Sequence, residues 1–240
     1  MTADRALTDA VRAALAAAGD PVRALSAQAY MKSAMPFHGV PVPEVRRIAR
    51  AELAAHPLRD RQTWQDTVVE LWDRATHREE RYAALALVRS PRAAAYQDLA
   101  TLELYRHLVV TGAWWDLVDE LAHAVGAVLR AAGPPAAAVV RAWSRDDDLW
   151  LRRAAILCQL GAGAGTDREL LADCLETNLA DPAFFLRKAI GWALRDLARA
   201  DPEWVTGFVE AVGDRLSPLS RREATRHLPA LRGALSDGAG

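Results

Sequence analysis

The chain has 240 residues, 51% of them apolar, with 30 Lys+Arg against 31 Asp+Glu for a formal net charge of −1. A chain of that length buries about 70–75% of its unfolded surface, so a core needs neither a disulfide framework nor a structural metal; Cys158 and Cys174 could not build such a framework and fit a reducing compartment. Near-neutral charge gives on its face no reason to expect a nucleic-acid partner.

Taken in chain order, the first twenty residues lack the uninterrupted apolar core of a signal peptide, and no later stretch reaches the roughly 18 charge-free apolar residues of a membrane span. A cytosolic location is expected. Ala, Leu and Arg dominate and apolar residues recur at three and four, so the pattern reads as helix throughout. Breaks at Asp20-Pro21, Pro41 to Pro43, Gly133-Pro134-Pro135, Gly161 to Thr166, Asp181-Pro182, Asp201-Pro202 and Ser217-Pro218 divide it into helices. About a dozen, each of roughly 10–18 residues, are expected, and no strand.

A repeat underlies these helices. "ERYAALAL" at Glu80 to Leu87, "LRRAAILC" at Leu151 to Cys158, "LRKAIGWA" at Leu186 to Ala193 and "RREATRHL" at Arg221 to Leu228 share a basic residue before small apolar ones. Arg81, Arg152, Arg187 and Arg222 are separated by 71, 35 and 35 residues, and 71 is two steps of a helix-pair repeat. The missing member should begin near Asp116. The predicted fold is therefore all-α, a HEAT-like helix-pair solenoid forming a single repeat domain over residues 1–240, with equivalent helices lining a concave face and the last few residues as a flexible tail.

Such a fold segregates its surfaces, so acids elsewhere can balance a basic groove at zero total charge. Of the 30 basic residues 28 are Arg, with Lys32 and Lys188 the exceptions. Codon bias and selection for bidentate phosphate contacts both account for this. The recurring Arg either face a polyanion or pair with acids of neighbouring repeats.

Familiar chemical motifs fail one by one. "GAGAGT" at Gly161 to Thr166 has no preceding strand and lacks the Lys of a P-loop, so it reads as an inter-repeat loop with Thr166 or Asp167 capping the next helix. No CxxC, HxxxH, HExxH or G-x-S-x-G occurs, so neither a zinc site nor a serine hydrolase is expected. "TGAWWDLVDE" is different, because Trp115 and Asp119 lie four apart and share a helical face. An indole beside a carboxylate suits a cationic group, while burial in the core suits Trp equally; Trp114 reads as core and Asp116 as a helix N-terminal acid.

These segments carry a resemblance. "YMKSAMPFHGVPVPEVRR", "ELWDRATHREERYAALAL", "VVTGAWWDLVDELA", "DDLWLRRAAILCQL", "FFLRKAIGWALRDLARADPEWV" and "LSPLSRREATRHL" together resemble the AlkD-type DNA alkylation-repair glycosylases, HEAT-like repeat proteins, over roughly residues 22–230. The resemblance implies an excision site at Trp115, Asp119, Arg153 and Trp192, and a DNA-facing Tyr30. It implies Asp119, Trp115 and Trp192 as catalytic, with Arg153 clamping a backbone phosphate; Arg152, Lys188 and Arg222, basic residues at repeat-equivalent positions, are candidates for further phosphate contacts or for inter-repeat ion pairs.

The activity implied is hydrolysis of the N-glycosidic bond of cationic N3- or N7-alkylated purines in double-stranded DNA. It proceeds without base flipping and extends to bulky N3-adenine adducts in a self-resistance role. An alkylated purine already carries positive charge, so the need is to stabilise the oxocarbenium growing on the sugar. A lyase would attack the sugar with an amine, and the two lysines have roles in DNA contact or structure, so a monofunctional enzyme is expected, acting as a monomer with no cofactor, metal or membrane partner. A non-catalytic HEAT-repeat module binding DNA or protein is the competing expectation. It predicts that Trp115, Asp119, Arg153 and Trp192 fail to converge.

Overall fold

The computed structural model describes residues 2–228, and the expected C-terminal tail lies outside the described residues. Among the described residues there are thirteen α-helices, a few short 3-10 turns and no strand. Backbone contacts gather them into two compact units, Met1–Leu104 and Tyr105–Gly240.

In the first unit, α1 (Arg5–Ala17) is started by Asp4, whose carboxylate accepts from the Leu7 N–H, and buries Leu7, Val11 and Leu15 at four-residue spacing. It is followed by α2 (Pro21–Met31), α3 (Val42–Ala55), α4 (Arg61–Asp73) and α5 (Arg78–Val88). Helices α1, α3 and α5 pack in a row, with α4 against α5 and α1. Their shared core includes Val45, Ile48, Trp64, Leu71, Trp72 and Leu87.

α6 (Thr101–Gly112) leads into the second unit, where the repeat is clearest. There α7 (Trp115–Ala132), α9 (Leu149–Leu157), α11 (Phe184–Leu197) and α13 (Pro218–Ala224) are successive neighbours. They begin at residues 115, 149, 184 and 218, in steps of 34 or 35, so α7 is the repeat missing from the arginine series. A second layer is formed by α8 (Pro134–Trp143), α10 (Arg168–Glu176) and α12 (Pro202–Val212).

The sequence breaks act largely as their chemistry requires. Asp20, Asp201 and Ser217 cap helices whose first residue is Pro, and Asp167 caps α10. Asp181-Pro182 differs: α11 starts only at Phe184, and Asp181 accepts instead from the Ala183 N–H. Several helices are shorter than expected, α13 having 7 residues and α9 and α10 having 9.

Neighbouring repeats are joined by ion pairs. Arg141–Asp173, Arg152–Asp181, Arg168–Asp201 and Lys188–Glu223 meet at 2.6, 2.9, 2.6 and 2.7 Å, bridging 32, 29, 33 and 35 residues. Helices approach closely at two glycines. A Cβ on Gly126 would lie 1.9 Å from the Cys158 carbonyl oxygen, and one on Gly191 would lie 2.6 Å from the Glu223 Cβ and 2.9 Å from the Ser220 carbonyl oxygen.

Candidate active site

Chain direction is set just before α7. Ala113 adopts φ 39°, a left-handed conformation unusual for a residue with a Cβ, and Trp114 then occupies the extended N-cap position. Trp115 becomes the first helical residue and Asp119 follows one turn later on the same face, both half-buried.

Opposite Asp119, on α9, lies Arg153. Its Nε and Nη2 donate to the two carboxylate oxygens at 2.7 Å each, and Nη1 donates to the Phe185 carbonyl in the first turn of α11. One guanidinium thus ties three successive repeat helices together. It is 1% exposed, whereas the Asp119 side chain is 24% exposed. The Arg153 guanidinium also lies 5.3 Å from the centroid of Trp192 and 5.8 Å from that of Phe185. The Lys188 ammonium stands 5.0 Å from the Trp192 ring while pairing with Glu223.

Burial pushes the Asp119 carboxyl above the usual aspartate range, and the hydrogen bonds and charge of Arg153 oppose that rise. Asp116 adds to it and His123 counters it. Because every donor facing the two oxygens belongs to an arginine, the pair is satisfied with the carboxylate ionised. Arg153 occupies one edge of the group.

The structure thus brings Asp119, Arg153 and Trp192 together, with Trp115 on the Asp119 face of α7. It changes the role expected of Arg153. A guanidinium 1% exposed and committed to Asp119 and Phe185 does not present itself to a phosphate. Arg152 is committed as well, to Asp181 and the Asp146 carbonyl, and Lys188 to Glu223, so at both positions inter-repeat pairing is the arrangement observed. Arg222 is exposed on α13, and Tyr30 is 76% exposed near the end of α2 in the first unit.

An aromatic cluster beside Arg153 escaped the sequence reading. Trp114, Trp150 and Phe185 meet with centroids 5.0 to 5.9 Å apart, and Phe184, 56% exposed, packs edge-on against Phe185. Its signal was present: Trp115, Trp150 and Phe185 follow one another at intervals of 35, so an aromatic recurs near the starts of α7, α9 and α11, though not of α13. Trp114, assigned to the core from sequence, is a half-buried member of this cluster.

Fold and site together define an all-α helix-pair repeat protein that displays an arginine-held carboxylate among aromatics at the starts of consecutive repeats. The chain belongs to the family of DNA alkylation repair enzymes, which matches it over residues 11–228, and its role lies in the repair of alkylated DNA. It is similar to a solved structure described as a predicted DNA alkylation repair enzyme from Enterococcus faecalis. The two share 27% identity over 88% of this chain and 97% of that one, with a TM-score of 0.78. No curated relative matches the chain. Among the described residues no helix is long and apolar enough to cross a membrane.

Proposed function

We propose that the protein is a monofunctional DNA glycosylase that hydrolyses the N-glycosidic bond of cationic N3- or N7-alkylated purines in duplex DNA, acting as a monomer without a cofactor. The observation that carries this reading is the Asp119 carboxylate, one-quarter exposed and fixed by a buried Arg153. A scaffold that only bound DNA would gain nothing from a carboxylate turned toward phosphates.

As the bond from C1′ to N9 of the alkylated purine breaks, its electron pair leaves with the base and neutralises the base's positive charge. Positive charge then grows on the sugar, where Asp119 stabilises it. Water adds to C1′ and loses its proton to the carboxylate or to solvent. Trp115 and Trp192 offer π faces to the cationic sugar and lesion, at about 0.5–2 kcal/mol per contact. Arg153 fixes the carboxylate's plane and keeps it ionised. With the lesion left in the stack, a bulky N3-adenine adduct is accommodated as readily as a methyl group. Arg222 and Tyr30 are exposed groups suited to contacting DNA. Strand cleavage is not part of the reaction: it would need an amine nucleophile at C1′, and Lys188, the lysine beside Trp192, is committed to an ion pair with Glu223.

The test is release of free base from duplexes carrying N3-methyladenine, N7-methylguanine or a bulky N3-adenine adduct. Asp119→Asn should bind lesion DNA at least as well as the parent and release base at least about a hundredfold more slowly. Equal rates for the two proteins, or no release from any substrate by the parent, would overturn the proposal in favour of a non-catalytic DNA-binding module.

A further inference from the structure

The first unit holds a second cluster of chemically active side chains. His38 precedes α3, His77 immediately precedes α5, and Glu80 lies in the first turn of α5. The two imidazoles stack with centroids 3.7 Å apart and planes 13° from parallel. One donor atom from each of the three residues lies within 4.8 Å of the other two. We propose that His38, His77 and Glu80 form a binding site for a divalent transition-metal ion of the zinc class.

The donors are held by a supporting frame. Buried Glu79 accepts from the backbone N–H groups of His38, Gly39 and Val40 at 2.9, 2.8 and 3.1 Å, and the Arg78 N–H donates to the Pro36 carbonyl. The strand of loop carrying His38 is thereby fastened to the start of the helix that follows His77. Glu80 is oriented in turn: Oε1 accepts from Thr76 Oγ1 at 2.8 Å and from the Thr76 and His77 N–H groups, and Oε2 accepts from Arg12 Nε at 2.9 Å. Outer contacts of this kind orient metal ligands.

Two imidazoles and a carboxylate suit zinc, cobalt or nickel better than magnesium or calcium, which prefer all-oxygen sets. Metal–donor distances of about 2.0–2.2 Å require the ligand atoms to close by roughly an ångström or more, within reach of ring rotation in two half-buried histidines. Thr76 Oγ1 lies between His77 Nδ1 and Glu80 Oε1, at 3.0 and 2.8 Å, so a metal bound through Oε1 would displace that hydroxyl while Oε2 stays with Arg12. Three protein ligands leave a fourth position for water.

Untagged protein titrated with Zn²⁺ by calorimetry and with Co²⁺ by absorption should take up one ion per chain with micromolar affinity. The Co²⁺ complex should show the visible bands of a low-coordinate ion, and Zn²⁺ should raise the thermal midpoint. His38→Ala and His77→Ala should each weaken binding about tenfold or more while far-ultraviolet circular dichroism stays unchanged. His38 lies outside the helices, so its variant keeps the test valid if the His77 variant loses helix. Binding no tighter than millimolar, or equal affinity in both variants and the parent, overturns the site.

Discussion

Asp119 and Arg153 stand 34 residues apart, one repeat, and are joined edge to edge by two 2.7 Å hydrogen bonds. The guanidinium is buried and its partner carboxylate only partly so, which makes the loss of either partner unequal. Removing the carboxylate's counter-ion leaves a desolvated anion; removing the carboxylate strands a buried cation.

Arg153→Ala should therefore destabilise the second unit by about 3 kcal/mol, the scale of breaking a buried pair. Arg153→Lys keeps the charge but cannot reproduce the fork that spans Asp119 and Phe185, and should recover only part of that loss. Urea unfolding of the three proteins checks this order. If Arg153→Ala unfolds at the parent's midpoint, the pair has no structural role.

Asp119 also sets a pH dependence. Its folded pKa lies above the ordinary value of 3.8, chiefly through burial. Activity that needs the ionised form should be lost on acidification at a higher pH than an exposed aspartate would dictate. The Arg153 guanidinium opposes the rise, so Arg153→Met should move the acid limb of kcat/KM further upward. For stability the sign is reversed: a carboxyl whose folded pKa is raised contributes stability below its unfolded pKa and loses it as pH climbs through the folded value. A limb that stays in place in Arg153→Met would separate Asp119 from the pH profile.

Glu223 titrates the other way. The hydrogen bond from Lys188 leads in holding its carboxyl below the ordinary 4.5, burial works against this, and the charges of Lys188, Arg195 and Arg226 add to the lowering. Its contribution to stability should be present above its unfolded pKa and disappear as pH falls through the folded one. Glu223→Gln should accordingly be less stable than the parent near neutrality and converge with it under acid conditions. Parallel unfolding curves from pH 3 to 7 would rule out this linkage. Because Lys188 lies over Trp192, tryptophan fluorescence gives a second readout of the same clamp.

Much of this was legible in the sequence because repeats announce themselves by spacing. The period of 35 located α9, α11 and α13, and the helix-start chemistry of Asp-Pro and Ser-Pro fixed where several helices begin. Trp115, Asp119, Arg153 and Trp192 were recognisable as a set through family resemblance. Partner choice was not legible. Whether Arg152 faces solvent or Asp181, and whether Arg153 meets a phosphate or Asp119, depends on side-chain direction across helices, which residue type does not specify. The His38, His77 and Glu80 cluster was hidden for a related reason. Local spacing searches find ligands on one helix, and this set joins segments 39 residues apart that only folding brings together.

Gly191 tests how closely α11 must approach α13 to hold Trp192 in place. A methyl group there would meet Glu223 Cβ at 2.6 Å and the Ser220 carbonyl oxygen at 2.9 Å, distances at which something has to move. Backbone cannot yield cheaply, so Gly191→Ala should destabilise by about 1–3 kcal/mol, as overpacked sites do. Gly207 in α12 is the control, since a Cβ there meets nothing within 4 Å. Gly207→Ala should instead stabilise by about 0.5–1 kcal/mol through helix propensity. Thermal unfolding of both variants distinguishes them, and base release should fall in Gly191→Ala alone because its displaced helix carries Trp192. Similar midpoint shifts in the two variants would mean that the α11–α13 contact is looser than described.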